Sequence, residues 1–143
     1  MHDISTTNRK WWVLLAIGVG TFMSALDGSV VNTILPVVSR AFGSDLATIE
    51  WVVTTYLLVV GGLLLSVGRL GDLRGHKSVY VSGFGVFVFS SALCGLAPQT
   101  WALVASRALQ ALGAAMLAAN APAILTKNFP AAQRGQALGL QAA

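Results

Sequence analysis

Charge is what this chain has least of. Five acidic and nine basic residues make up 10% of its 143 positions. Soluble domains carry about a quarter charged residues, so a soluble globular fold is excluded. Cysteine is almost absent too. The single one, Cys94, stands inside an apolar run. It excludes an internal disulfide and is too isolated for a metal site, and it reads as a small buried filler. No nucleophile–base constellation, metal-ligand cluster or phosphate-binding loop can be assembled, so neither an enzyme nor a cofactor is expected. Gly18 and Gly20 lie within an apolar run and form no nucleotide motif. The net charge of +4 does not indicate nucleic acid, because the basic residues fall between apolar runs and not on one polar face.

What is present is apolar length. A helix needs roughly 20 apolar residues to cross a bilayer. Four segments qualify, at about 11–38, 49–68, 78–97 and 101–125. Lipid offers no partners to backbone polar groups, so each must be helical. The expected fold class is all-α integral membrane. Pro36 is expected to end or kink the first span, and Pro98 to mark the turn between the third and fourth. Pro122 falls near the end of the fourth. A fifth helix is expected to begin at about residue 136, and the chain is expected to be the N-terminal piece of a longer protein. A signal peptide is the rival reading of the first span. Met23-Ser24-Ala25 makes a poor cleavage site, and apolar residues continue through Val38.

Lysine and arginine placement sets orientation. With residues 1–10 inside, the inner segments hold Arg9, Lys10, Arg69, Arg74, Lys77, Lys127 and Arg134. The outer segments hold only Arg40. The expected location is the cell (inner) membrane, with a cytoplasmic N-terminus. Trp11 and Trp12 fall at the inner boundary, and Trp51 and Trp101 at the outer one, as interfacial anchors. Gly61, Gly62, Gly83, Gly85 and Gly113-Ala114-Ala115 are expected to let helices pack closely.

Two ionisable residues lie inside spans: Asp27 in the first and Arg107 in the fourth. Each costs roughly 2.5–3.5 kcal/mol near the bilayer centre, so a lipid-facing position is disfavoured. Asp27 precedes Pro36 by nine residues, about 13 Å of helix, and Arg107 follows Trp101 by six, about 9 Å. The helices run in opposite directions, yet both charges reach similar depth in the outer half. One reading is a static ion pair that fixes helix register. The other is a titrating carboxylate, whose affinity for a proton depends on its distance from the arginine. Gln110 shares a helix face with Arg107, and Ser24 with Asp27. Asn32, Gln110 and Asn120 are candidates for lining a cavity.

Between the second and third spans lies Gly68-Arg69-Leu70-Gly71-Asp72-Leu73-Arg74-Gly75-His76-Lys77. It reads as a short charged loop that forces an antiparallel hairpin. Gly68, Leu70, Asp72, Gly75 and Lys77 match G-x-L-x-D-x-x-G-x-K, and the stretch resembles a cytoplasmic loop of major facilitator superfamily transporters. Leu26 to Pro36 resembles the first-span motif L-D-x-T-x-V-N-x-A-L-P of drug:proton antiporters of the fourteen-span branch. Arg107, Gln110, Gly113 and Ala114 resemble the fourth-span motif R-x-x-Q-G-x-G-A, with one glycine missing.

The resemblance implies an N-terminal part of a proton-coupled exporter of drugs or other small lipophilic compounds. It implies protons, a small-molecule substrate, the lipid bilayer and a missing C-terminal part as partners. Asp27 and Arg107 would serve proton coupling. Gly68, Asp72, Arg74, Gly75 and Lys77 would form a gate loop on the cytoplasmic side. Leu73 and His76 depart from the usual basic residues of that loop. The alternatives are a major facilitator transporter of another solute and a non-transporting four-helix accessory protein. The chain alone is not expected to transport.

Overall fold

The computed structural model describes residues 4–142. Residues 1–3 and 143, and the side chains of 4–9, 46 and 142, lie outside the described residues, so Arg9 is seen through its backbone only. Five α-helices follow in order: α1 (Ile4–Phe42), α2 (Leu46–Arg74), α3 (His76–Gly95), α4 (Thr100–Asn128) and α5 (Arg134–Ala142). A single turn of 3-10 helix, Ala131–Gln133, precedes α5. The first four are each long and apolar enough to cross a membrane.

The helices outrun the apolar segments from which they were expected. Pro36 does not end α1, which continues to Phe42, and Pro122 lies inside α4. The largest correction concerns residues 68–77. They are not a loop: α2 runs to Arg74 and α3 starts at His76, leaving Gly75 alone between them. Gly75 has φ +91° and ψ 124°, backbone space that side-chain-bearing residues rarely adopt. Its N–H bonds to the Gly71 carbonyl at 2.9 Å and so closes α2. Charged residues end an apolar run, but they do not end a helix. The backbone ladder simply continues with polar side chains on it.

Up-and-down order brings the start of α1, the α2–α3 turn and the end of α4 to one end of the bundle. Lys10 Nζ donates to Gln133 Oε1 at 2.9 Å, and the Trp11 ring meets Phe129 edge-on at 6.2 Å. At the other end the Ser44 and Thr100 hydroxyls hydrogen-bond and join the two interhelical turns.

The centre of the bundle is α4. Half of the residues in its apolar stretch are buried, against 11% for α1 and for α2. The main core joins Ile17 of α1, Tyr80 and Phe87 of α3, and Leu117, Ala121 and Leu125 of α4. Gly83 and Gly113 let α3 and α4 meet backbone to backbone. A Cβ on Gly113 would lie 2.6 Å from Phe87 N and 2.8 Å from Gly83 O. Gly61, Gly62 and Gly85 face open space and bring no helices together. In a span every face is apolar, so a small residue marks no particular side. All four tryptophans are exposed on the bundle surface.

Candidate ion-pair site between α1 and α4

Asp27 and Arg107 meet. Arg107 Nη1 donates to Asp27 Oδ2 at 2.6 Å, across a sequence separation of 80 residues. The Arg107 side chain is 4% exposed and that of Asp27 16%. Similar depth on antiparallel helices brings the charges level, and the packing of α1 beside α4 turns that level into contact.

Gln110 completes a closed triangle. One turn beyond Arg107, it lies on the same face. Its Nε2 donates to Asp27 Oδ1 at 2.9 Å, while its Oε1 accepts from Arg107 Nη1. This pairing fixes which way the amide points. Both carboxylate oxygens are therefore held by donors from α4. A buried ion pair is stabilised when its remaining valences are satisfied, and Gln110 satisfies the second carboxylate oxygen of Asp27. Arg107 Nε is buried and finds no acceptor among the described residues.

Two residues that sequence reasoning passed over frame the site. The Tyr56 ring of α2 stacks against the guanidinium, with Arg107 Cζ 4.3 Å from its centroid. Such a stack favours the cation through the ring quadrupole. Cys94 Sγ of α3 lies 3.7 Å from Gln110 Oε1. Cys94 is thus half-buried beside the polar cluster, where it had read as filler. Neither residue carries a local sequence signal, because each reaches the site from another helix. Ser24 does not join: its hydroxyl bonds back to the Gly20 carbonyl at 3.1 Å.

The candidate cavity residues separate. Gln110 belongs to the triangle. Asn32 is exposed on α1. Asn120 is fully buried far along α4, where its Oδ1 meets His76 Nδ1 at 2.8 Å. It faces His76 at the α2–α3 turn. Gln110→Leu removes hydrogen bonds from both charges at once. It is expected to lower stability by about 1–3 kcal/mol, read by denaturant unfolding of the chain in micelles.

Residues 17–143 match the Major Facilitator Superfamily. The chain belongs to the major facilitator superfamily. That places it among membrane transporters and not among enzymes. It is 41% identical over 135 residues to the riboflavin transporter RibZ of Clostridioides difficile (strain 630), covering 94% of this chain and 30% of that protein. It is 40% identical over 136 residues to the puromycin resistance protein pur8 of Streptomyces alboniger, covering 94% of this chain and 27% of that protein. It is 34% identical over 132 residues to the tetracenomycin C resistance and export protein of Streptomyces glaucescens, covering 92% and 24%. The chain therefore spans roughly a quarter to a third of the length of these relatives.

In this major facilitator chain the residues of the gate motif lie around one helix junction. Gly68 is inside α2, where an added Cβ would lie 3.8 Å from Ala119 Cβ of α4. Asp72 is 72% exposed in the last turn of α2, and its Oδ1 lies 3.3 Å from His76 Nε2. Arg74 ends α2 and Lys77 stands in the first turn of α3, both exposed.

Proposed function

We propose that the chain is the N-terminal part of a proton-coupled exporter of small lipophilic compounds, with Asp27 as the proton carrier. The observation that supports this most is the Asp27–Arg107–Gln110 triangle inside two apolar helices of a major facilitator chain. An ion pair at that depth is too costly to be idle packing unless it is well satisfied. Here one partner keeps an unmatched donor at Arg107 Nε.

The chemistry follows from charge. With Asp27 ionised, Arg107 is neutralised and α1 is held to α4. A proton on Asp27 removes the negative charge and weakens the clasp, while Tyr56 and Gln110 still hold the guanidinium. Movement of α1 relative to α4 is then coupled to one proton. Two relatives named for drug resistance or export support a drug-like substrate. One named as a riboflavin transporter supports a second reading, a different small solute.

The basic residues support orientation. Lys10, Arg69, Arg74, Lys77, Lys127 and Arg134 belong to the end that holds the α2–α3 turn, and Arg40 to the other. We place the first end in the cytoplasm by the positive-inside rule, in a cell membrane. Gly68, Asp72, Arg74, Gly75 and Lys77 then form a gate face there, toward the remainder of the transporter. The test is the complete transporter in proteoliposomes with a lipophilic dye. Dye export is expected to follow an imposed proton gradient and to stop when an ionophore collapses it. Export that survives the collapse would count against proton coupling, and inhibition by riboflavin alone would favour the second reading.

A further inference from the structure

We infer that His76 is a second proton-binding site, whose occupancy decides whether Asp72 is clasped to the bundle or released to solvent. The inference rests on hydrogen-bond valence and stands apart from the proposed role of Asp27.

Asn120 Nδ2 donates to the Met116 carbonyl at 2.9 Å. Turning the amide round would set two oxygens against each other, so Asn120 Oδ1 must be the atom that faces His76. It lies 2.8 Å from His76 Nδ1 and can only accept. Nδ1 therefore carries a hydrogen. In a neutral ring the other nitrogen, Nε2, is then a bare lone pair. Yet Nε2 is the atom that faces Asp72 Oδ1, at 3.3 Å. Two acceptors do not hold each other. Attraction between the Asp72 carboxylate and this nitrogen requires that Nε2 also carry a proton, as imidazolium.

The surroundings hold the ring in this orientation. His76 is 9% exposed and Asn120 is fully buried. A Cβ on Gly71 would collide with both Asn120 Oδ1 and His76 Nδ1. Glycine at 71 leaves the space in which the two side chains meet. Asp72 supplies the negative charge from α2, and Asn120 the neutral acceptor from α4. Against the imidazolium stand the positive N-terminus of α3 and the exposed cations Arg74 and Lys77 close to it in sequence, while Arg69 and Lys127 add positive charge at the same end of the bundle. Imidazole changes charge near neutral pH, so modest fields decide the outcome. Asp72 is mostly exposed, and release into water costs it little. Proton loss from Nε2 breaks the clasp without disturbing the His76–Asn120 bond.

The chain has two histidines, His2 and His76, which makes the test direct. The 143-residue chain is labelled with ¹⁵N-histidine in micelles, and long-range ¹H–¹⁵N spectra are recorded across pH, with His2→Gln to assign the rings. Neutral His76 is expected to carry its hydrogen on Nδ1. Asp72→Asn, a change at an exposed side chain, is expected to move the His76 midpoint to lower pH and leave that of His2 in place. A neutral His76 protonated on Nε2, a ring that never titrates, or an unmoved midpoint in Asp72→Asn would each overturn the assignment.

Discussion

Gly113→Val is expected to separate α3 from α4 and to unfold the bundle at a denaturant concentration well below that of the parent chain. The reason is backbone contact. The atoms that a new Cβ would meet are Phe87 N at 2.6 Å, Gly83 O at 2.8 Å and Phe87 Cα at 2.9 Å. A side chain could rotate away, but these atoms move only with the whole of α3. Overpacking costs about 1–3 kcal/mol in ordinary cores, occasionally more. This site lies at the high end, because valine adds two methyl groups beyond Cβ. Between membrane helices close packing replaces the hydrophobic effect as the main source of association, so the loss has no ready compensation. Gly85→Val is the internal control, since nothing lies within 4 Å of its Cβ position. Denaturant titration followed by circular dichroism reads both. Equal stability of the two variants would show that α3 and α4 do not meet as described.

That contrast also shows what the sequence could and could not disclose. Apolar length alone revealed four spans, because the bilayer sets a minimum run and forbids other backbone geometry. Asp27 and Arg107 stood out because charge is rare in such runs. Their similar depth was legible, and so was the helix face that Arg107 shares with Gln110, but the contact between Asp27 and Arg107 was not, because depth does not say which helices are neighbours. Helix rotation was not legible. Gly83 and Gly85 look alike in sequence, yet one touches α4 and the other faces open space. A soluble helix would reveal its buried side by amphipathic pattern, but a span with apolar residues all round does not. Tyr56 and Cys94 were missed for the same reason. Residues 68–77 misled in another way: their charge marks the end of an apolar run, and only Gly75, with its positive φ, marks the end of a helix. His76 stood out as a departure from the family's loop pattern. Its bond to Asn120 spans 44 residues and leaves no local trace.

Asp27→Asn is expected to reduce proton-driven export by the complete transporter to the background of empty vesicles. Asparagine keeps the size of the side chain and an acceptor oxygen for Arg107. What it loses is the negative charge and the ability to carry a proton. Substrate exchange across the membrane, which needs helix movement but no net proton transfer, is expected to persist. That split separates a coupling role from a structural one. A static ion pair would predict the opposite pattern, in which loss of the counter-charge to a buried Arg107 destabilises the α1–α4 contact by up to about 3–5 kcal/mol. Export and exchange would then fall together as the protein unfolds.

The most direct measurement counts protons. The purified complete transporter, in lightly buffered detergent solution, is mixed with a compound that it exports, and the pH of the solution is recorded. Wild-type protein is predicted to release protons on binding, and Asp27→Asn to release none while still binding. Equal proton release from the two proteins would contradict the assignment of Asp27 as the proton carrier.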